Sequence, residues 1–319
     1  MKRLILVLSL CAAWLGMSAQ ERDSLSVMFW NVENLFDYKD TGKNDSDRDF
    51  SSRGSRKWTK ARFQRKCDAI AKSILWMGDR YGKVPDVIGF AEVENRNVLY
   101  RLLEDTLLRK YGYRIIHRES SDRRGIDVAL IYRESVFEKV SVSFRTPYLD
   151  GVPIKTRDIL HVRLRNRSDK QSMDFIVNHH PSKYGGKKES EKGRMAAMRS
   201  LVGICDSLDC GNVVMMGDFN DVPSASQFDV LRDAGFICNA DSLHITGKGT
   251  IRYKGNWEMI DMFWVSPDLS SKTFMELCEI PFLMEWDNVY PGYKPLRTYT
   301  GPAYRGGVSD HLPILLRIL

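Results

Sequence analysis

The amino-acid sequence predicts an α/β or α+β domain, and three observations support this fold class. Short apolar or alternating runs recur along the chain with lengths typical of strands. Between some of these runs, longer segments repeat apolar residues every three or four positions, as amphipathic helices do. Several strand-like runs also follow one another directly, so the fold contains more hairpins than a strict βαβ repeat gives.

The strands predicted from these apolar runs are Leu25–Trp30, Asp86–Phe90, Ile126–Tyr132, Phe137–Phe144, Ile159–Leu164, Met173–Val177, Val213–Met216, Met259–Val265 and Leu312–Ile318. The helices predicted from the three-and-four spacing are Lys60–Trp76, Asn97–Lys110, Glu189–Leu208 and Ser226–Ala234. The chain has no internal repeat, no low-complexity tract and no linker rich in Pro, Gly and Ser. We therefore expect residues 20–319 to form a single domain.

Residues 1–19 have the features of a signal peptide. Lys2 and Arg3 precede an apolar run, and small residues end the segment at Ala19. The run is too short for a membrane span, and Leu10 before Cys11 disfavours a lipoprotein signal, which usually has a small residue there. We expect an exported protein, periplasmic or extracellular, without stable membrane insertion or an obligate protein partner.

Composition narrows the function classes. The chain has 28% charged and 43% hydrophobic residues, which excludes disorder, collagen and a membrane bundle. Its formal charge of +7 falls to about +5 without residues 1–19, a surface that tolerates polyanions without proving them. Five cysteines lie beyond that segment, an odd number, and none belongs to a CxxC pair. Cys205 and Cys210 either pair locally or stay free.

Two long segments lack clear periodicity. Residues 37–58 are polar and contain Asp45, Asp47 and Asp49, but the glycine and distal glutamate of an EF-hand calcium loop are absent. We interpret this segment as a solvated loop near the cleft, with a second ion as the alternative. Residues 285–308 combine aromatic residues, arginines, prolines and glycines, which favours a substrate rim over a packed surface loop.

Polar residues follow or precede five of the predicted strands. These residues are Asn31, Glu92, Asn178 with His179, Asp218 with Asn220, and Asp310 with His311. Strand ends can bring side chains from distant parts of a chain into one pocket. Any one of them alone is more often structural, since an isolated Asp after a strand is usually a turn residue or helix cap. Together, with oxygen-rich acids and imidazoles but no thiolates, they indicate a hard divalent cation and phosphate chemistry.

The sequence resembles the endonuclease/exonuclease/phosphatase superfamily along nearly all of the chain beyond residue 19. The matching stretches are FWNVENLF at 29–36, GFAEVEN at 89–95, GIDVALIY at 125–132, TRDIL at 156–160, VNHHPSKYGG at 177–186, MGDFND at 216–221, IDMFWVS at 260–266 and GVSDHLP at 307–313. The combination of GDFN with a final SDH is the most specific signal. The resemblance implies a four-layer α/β/β/α sandwich of two mixed sheets flanked by helices, with the active-site cleft at the strand ends.

The resemblance also implies a role for each matching residue. Glu92 corresponds to the principal metal carboxylate, with Asn31 beside it and Asp310 as a further acid near the ion. Mg²⁺ or Mn²⁺ suits such a set, since these ions prefer a few carboxylates and keep water and phosphate oxygens as other ligands. Asp218 corresponds to the residue that orients or deprotonates the attacking water, and Asn220 to one that holds the phosphate or nucleophile.

Two histidines complete the implied catalytic set. His311 resembles the imidazole beside the scissile phosphate, and Asp261 the carboxylate that fixes its tautomer. His179 resembles the family's second histidine, which lies on the phosphate. Its neighbour His180 should point away, because successive residues of a strand face opposite sides.

The remaining candidates contact substrate. Asp127 could be the partner of His179, with a loop-edge acid paired to a nearby arginine as the alternative. Arg157 of TRDIL matches a phosphate-contacting arginine, with a surface salt bridge as the alternative. From the loop rich in aromatics and arginine we add Arg297, Tyr299 and Arg305.

The sequence therefore predicts an exported metal-dependent phosphodiesterase, most simply an endonuclease of low sequence specificity acting on DNA or RNA. A phosphatase, or a sphingomyelinase-like enzyme acting on a small phosphodiester or phospholipid headgroup, is the alternative, because substrate choice lies in loops. Against it, no apolar hairpin is rich in exposed Trp or Phe. A non-catalytic binding protein on the same fold would lack catalytic positions, and all of them are present.

Overall fold

The computed structural model describes residues 24–183, 187–208 and 211–319. The described strands, in chain order, are β1 Leu25–Leu35, β2 Val87–Val93, β3 Tyr113–His117, β4 Asp127–Arg133, β5 Phe137–Arg145, β6 Tyr148–Leu149, β7 Val152–Pro153, β8 Ile159–Asn166, β9 Ser172–His179, β10 Val213–Asp218, β11 Ile237–Cys238, β12 Ile251–Tyr253, β13 Asn256–Glu258, β14 Asp261–Val265, β15 Thr273–Leu277, β16 Met284–Asp287, β17 Gly292–Pro295, β18 Tyr299–Thr300, β19 Ala303–Tyr304 and β20 Ile314–Ile318. The α-helices are α1 Asp45–Asp49, α2 Lys60–Tyr81, α3 Arg96–Glu104, α4 Lys187–Cys205, α5 Asp229–Asp233, α6 Asp241–Ile245 and α7 Pro267–Ser270.

The two six-stranded sheets have the same arrangement of parallel and antiparallel strand pairs. The first has the order β15-β20-β1-β2-β4-β3, and the second the order β11-β14-β10-β9-β8-β5. Each contains one parallel pair at its centre, β1 with β2 and β9 with β10, and its other pairs are antiparallel. The carboxyl ends of the parallel strands and the amino ends of their antiparallel neighbours β14 and β20 therefore share one edge.

The alternation of side chains along β1 explains the layers. Val27 and Phe29 belong to the core between the two sheets, whereas Met28 and Trp30 belong to the core beneath α2 and α3. The sheets approach closely at Gly89, where a Cβ atom would lie 2.6 Å from the Met216 sulfur. The predicted four-layer arrangement of two mixed sheets with helices outside is confirmed.

Helix α2 shows how local sequence sets its bounds. The Thr59 hydroxyl accepts a hydrogen bond from the Arg62 backbone N–H at 3.3 Å and caps the first turn. The helix ends at Gly82, which has a φ of 83°. It runs five residues beyond the predicted end at Trp76 because the apolar spacing continues to Met77, which is buried.

The other predicted helices differ from the structure mainly at their ends. The segment 97–110 divides into α3 and a 3₁₀-helix, Leu107–Tyr111, because the Thr106 hydroxyl accepts from the Leu108 N–H and starts a new cap. The segment 226–234 begins as a 3₁₀ turn, Ser226–Phe228, before α5. Strands β3 and β15 were absent from the prediction, since both are short and half exposed.

The interpretation of residues 37–58 as a solvated loop is wrong in its centre. The segment forms α1, and Asp47 is buried, where its carboxylate accepts hydrogen bonds from the Thr41 backbone N–H and hydroxyl, both at 2.8 Å. Phe50 and Trp58 are buried as well. The carboxylates of Asp45, Asp47 and Asp49 bind different partners and form no shared ion site.

Residues 285–308 form two short hairpins, β16–β17 and β18–β19. Cys67, Cys238 and Cys278 are buried free thiols, while the suggested pairing of Cys205 with Cys210 involves a residue outside the described ones. The predicted signal peptide, residues 1–19, also lies outside them. Among the helices of the described ranges, none combines the length and apolarity needed to cross a bilayer.

Candidate active site

The shared edge of the two sheets carries a cleft of about 990 Å³. Strand β1 brings Asn31 to it and β2 brings Glu92, one residue beyond the partner of Asn31 in the parallel register. From the other sheet, Asp218 lies between its register partners His179 and Asp261. The cleft therefore exists only where both sheets meet, as the strand-end pattern predicts.

His311 and Asp261 form a buried pair. His311 Nδ1 lies 2.7 Å from Asp261 Oδ2, and its carbonyl accepts a hydrogen bond from the Trp30 indole N–H at 2.9 Å. Burial acts to lower the pKa of His311, but the carboxylates of Asp261, Asp310 and Asp218 outweigh it and hold that pKa well above its ordinary value. These carboxylates therefore favour the protonated form of His311, with Nε2 left to act in the cleft.

Asp218 lies between the two imidazoles. Its Oδ2 is 3.5 Å from His179 Nε2 and 3.9 Å from His311 Nε2, and it accepts a hydrogen bond from Asn31 Nδ2 at 3.1 Å. Its Oδ1 accepts from the Asn220 backbone N–H at 2.9 Å. Burial, with the nearby charge of Asp261, raises the pKa of Asp218 to about 7. A carboxyl group tuned this way can take up a proton near neutral pH.

The two adjacent histidines face opposite ways. His179 lines the cleft, whereas His180 packs edge-to-face on Phe219 with ring centroids 5.1 Å apart. Burial lowers the pKa of His179 well below its usual range, and Arg157 adds to the effect. The carbonyl of His180 accepts hydrogen bonds from Asn220 Nδ2 and Arg157 Nη2, so its backbone ties both residues to the cleft.

A second group of cleft residues supplies oxygen atoms. Glu92 Oε2 accepts a hydrogen bond from the Asn34 N–H at 2.9 Å, and Asp310 lies in the cleft lining, in the segment that leads into β20. Arg297 Nη2 bridges Asp310 Oδ2 at 3.0 Å and Glu33 Oε1 at 2.9 Å. Burial, reinforced by Asp310, raises the pKa of Glu33 to about 7. Such crowding of carboxylates favours a bound cation.

The backbone is strained where these acids lie. Glu33, Asn34 and Glu92 have φ values of 44°, 53° and 63°, in the left-handed region that side-chain-bearing residues rarely adopt. Non-glycine residues in this region concentrate at ligand sites, where the surrounding structure holds them. At Glu33 the fully buried Lys66 contributes to this, because its ammonium donates to the Glu33 carbonyl and to the Thr298 hydroxyl at 2.8 Å.

The donor set fits a hard divalent cation. Asn31, Glu92 and Asp310 line one cleft and offer oxygen atoms, as Mg²⁺ and Mn²⁺ require. Asp218, Asp261 and His311 also place one ligand atom each within 4.8 Å of one another. In that trio, however, His311 Nδ1 and Asp261 are engaged with each other, so the trio is better suited to proton transfer.

Arg157 lies in the cleft, and its ion pair is buried instead of lying on the surface. Its guanidinium is buried, with Nη1 3.2 Å from Asp122 Oδ2 and Nη2 bound to the His180 carbonyl. Beside it, Arg124 reaches Glu92 Oε2 at 3.2 Å. Arg123 and Lys155 are exposed along the same cleft. This part of the cleft is therefore basic.

Three predicted substrate residues lie elsewhere. Asp127 does not partner His179, because its carboxylate accepts a hydrogen bond from the Ser120 N–H at 2.9 Å and lies 3.6 Å from His117 Nε2. Tyr299 is buried and packs on Trp58 and Tyr304. Arg305 pairs with Glu285 at 2.9 Å, outside the cleft lining. Only Arg297 of the loop residues reaches the cleft.

Several cleft residues were missed by the sequence reasoning. Glu33 sits inside the FWNVENLF motif two residues after Asn31, and that spacing was the available signal. Arg124 and Lys155 lie in polar loops without periodicity, and Tyr253 lies in a short hairpin strand. Nothing in the local pattern marks these three, since only the packing of the loops brings them to the cleft.

Comparison with known proteins extends these observations. Residues 26–319 match the model of the Endonuclease/Exonuclease/phosphatase family. No curated protein matches the chain. Among solved structures, the human Nocturnin catalytic domain with bound sulfate has a TM-score of 0.57 at 16% identity, covering 93% of this chain and 94% of that one.

Two further structures share the fold. A mannosyl-6-phosphatase from Bacteroides thetaiotaomicron has a TM-score of 0.58 at 16% identity, with coverage of 92% of this chain and 100% of the other. D. rerio TDP2 complexed with a single-strand DNA product has a TM-score of 0.54 at 16% identity, with coverage of 93% and 99%. The family match over 26–319 and the two-sheet sandwich agree, so the chain belongs to the endonuclease/exonuclease/phosphatase family, whose members hydrolyse phosphate esters.

Proposed function

We propose that the protein is an exported, metal-dependent phosphodiesterase that cleaves nucleic acid with low sequence specificity. One observation carries the proposal. Asp218 Oδ2 lies between the Nε2 atoms of His179 and His311, within a cleft whose lining includes the exposed cations Arg123 and Lys155. The centre suits hydrolysis of a phosphate ester, and the basic lining suits a substrate with more than one phosphate.

Asn31, Glu92 and Asp310 are the residues that would hold Mg²⁺ or Mn²⁺. When bound, the ion neutralises charge on the phosphate oxygens and makes the phosphorus more electrophilic. Arg297 supports this set by holding Asp310 and Glu33 together. All other roles fall to side chains of the protein.

Asp218 accepts the proton of the attacking water, since its raised pKa matches proton uptake near neutral pH. Asn220 fixes Asp218 through its backbone N–H. His311 donates from Nε2 to a phosphate oxygen or the leaving oxygen, and Asp261 keeps it protonated and oriented through Nδ1. The neutral imidazole of His179 holds a further phosphate oxygen.

The substrate choice rests on charge and size. A phosphomonoester carries its negative charge on one phosphate group, and the residues of the catalytic centre alone would neutralise that charge. Here, additional cations without ion pairs in the described parts of the chain line the cleft at Arg123, Lys155 and Lys192. Because neighbouring phosphates of a nucleic acid each need a counter-charge, these cations favour a polynucleotide. Phosphatase activity and phospholipid cleavage are the competing outcomes.

The test is hydrolysis of plasmid DNA, RNA, methyl p-nitrophenyl phosphate, sugar phosphates, inositol phosphates and sphingomyelin, with Mg²⁺, Mn²⁺ or EDTA. We expect nicking and RNA cleavage that EDTA abolishes and that Asp218→Asn lowers at least about 100-fold. Asp229→Asn, the same change on exposed helix α5, is the matched control. Turnover of a phosphomonoester or phospholipid with intact nucleic acids would refute the nuclease proposal and keep the phosphoesterase.

Export has its own test. Expression of the full chain followed by mass measurement of the protein outside the cytoplasm should show the loss of residues 1–19. An uncleaved protein retained in the cytoplasm would contradict the proposed signal peptide.

A further inference from the structure

An exposed aromatic ring borders the catalytic centre. Strand β12 joins the end of the chain through a β-bridge between Ile251 and His311 and a hydrogen bond from the Leu312 N–H to the Thr250 carbonyl at 2.8 Å. Ile251 and Tyr253 are two residues apart and both line the cleft. With a rise of about 3.3 Å per residue, Tyr253 lies roughly 7 Å along the strand from the position opposite His311.

The strand that carries this ring is firmly held. Between the two cleft residues, Arg252 points to the other side and donates from Nε to the Gly255 carbonyl, from Nη1 to the Tyr290 carbonyl and from Nη2 to the Pro291 carbonyl, each at 3.1 Å. These bonds fix β12–β13 against the neighbouring hairpin β16–β17. The position of Tyr253 is therefore set by the fold and does not depend on a floppy loop.

The ring itself is free to accept a ligand. Tyr253 is 64% exposed, and within the described ranges its hydroxyl has no hydrogen-bond partner and its ring no aromatic neighbour. Among the described residues, the charged group over this ring is the Lys254 ammonium, 5.4 Å from the centroid. A single exposed tyrosine is ordinary on a surface, but one held beside a catalytic centre with a bare face is a stacking platform.

The strand order places Arg123 and Lys155 on the opposite side of the catalytic centre from Tyr253. The hairpin of Tyr253 leads into β14, at one side of the central strands β10 and β9, whereas Lys155 precedes β8 on their other side. In the first sheet Arg123 likewise precedes β4, beyond β1 and β2. A bound polynucleotide would therefore extend from these cations, across the catalytic centre, to the aromatic ring.

We propose that Tyr253 stacks on an unpaired nucleobase next to the scissile phosphate, so that the enzyme prefers single-stranded over duplex nucleic acid. The inference rests on the proposed function and deepens it. Bases in a duplex are already stacked and paired, so their faces are closed to a side chain unless the duplex opens. A single strand offers its faces at no such cost, and stacking tolerates any sequence because every base has a π face.

The test compares wild type with Tyr253→Ala, Tyr253→Phe and the matched control Tyr100→Ala, a tyrosine on α3 that is also more than half exposed and lies away from the cleft. Four substrates separate the sources of binding: a single-stranded oligonucleotide, its duplex, thymidine 5′-(p-nitrophenyl) phosphate and methyl p-nitrophenyl phosphate. The last two share a leaving group and differ in the nucleoside.

We expect Tyr253→Ala to raise KM about tenfold for the single strand and the thymidine ester, with kcat within about twofold, since stacking acts on substrate and transition state alike. For the methyl ester and the duplex, the rise in KM should be about tenfold smaller, so that KM changes little. Tyr253→Phe should restore KM because the ring suffices, and Tyr100→Ala should match wild type.

The outcomes separate this inference from the proposed function. An equal loss on all four substrates, or none on the single strand, overturns the stacking role while cleavage of nucleic acid still stands. A tyrosine-dependent KM for the thymidine ester with no cleavage of either oligonucleotide supports stacking and overturns the nuclease proposal. A wild type that favours the duplex overturns the single-strand preference.

Discussion

Replacing Asp261 with Asn tests the assignment of the catalytic imidazole most directly. Asp261 is buried at the first position of β14, and its Oδ2 lies 2.7 Å from His311 Nδ1. The substitution keeps the volume and one acceptor atom but removes the charge that keeps His311 protonated. If His311 acts as an imidazolium, turnover must fall even though the fold survives.

The size of the effect follows from the contact. A hydrogen bond to a charged group contributes about 1.5–3 kcal/mol, against about 1 kcal/mol for a neutral one. The protonated form of His311 would lose up to about 2 kcal/mol of stabilisation, the largest difference between the two kinds of bond. Any step that needs the imidazolium would then slow by up to roughly 30-fold. We expect kcat of Asp261→Asn to fall by roughly 10- to 30-fold.

The assay is steady-state kinetics on the best substrate of the panel, with circular dichroism to establish folding. Asp174→Asn is the control, because Asp174 is equally buried and lies 2.6 Å from His161 Nε2, away from the cleft. That variant should lose stability while its folded fraction keeps kcat. A folded Asp261→Asn protein within threefold of wild-type kcat would refute the role of the pair.

Three further predictions concern other parts of the molecule. Burial raises the pKa of Glu94 to about 8 from 4.5, so the folded state keeps a proton that the unfolded chain has released, and stability falls as pH rises between these values. The difference in Tm between Glu94→Gln and wild type should therefore shift in favour of the variant from pH 5 to pH 8.5, and parallel Tm curves would contradict this. A Cβ atom on Gly217 would lie 2.3 Å from the Asn178 carbonyl oxygen in the adjacent strand, so Gly217→Ala should lower the free energy of unfolding by at least about 2 kcal/mol in a urea titration, whereas Gly203→Ala within a helix should be near neutral. If Lys155 contacts a phosphate, Lys155→Ala should reduce the slope of log(kcat/KM) against log salt on a single strand by about 0.7, and an unchanged slope would exclude the contact.

Sequence reasoning located the strand ends well because they obey a local rule. An apolar run that stops at a polar residue shows where a strand ends and which side chain lies there, as at Asp218, the last residue of β10. At Asn31 the strand itself continues to Leu35, but its regular pairing with β2 shifts register there. Period-two alternation also separated His179 from His180, and the structure places only His179 in the cleft. These features depend on residues adjacent in sequence, so the pattern alone contains them.

The same reasoning failed where long-range contacts decide. Asp127 looked like a partner for His179, but β4 pairs with β3, which places Asp127 beside His117 instead. Strand β3 was missed because one side of it is exposed. Tyr299 was predicted to lie on the substrate rim, but Trp58, at the end of the segment 37–58, packs against it. In each case a second segment, distant in sequence, determines the surroundings.

The pairing of β1 with β20 has a consequence for how the protein comes into being. These are the first and last described strands, and Leu25 is the register partner of Ile318. The first sheet therefore has a gap between β1 and β15 until segments almost 300 residues apart in sequence meet, and the same pairing brings His311 to the cleft. The first sheet and the catalytic centre are thus completed by one contact between very distant segments, the kind of contact that slows folding.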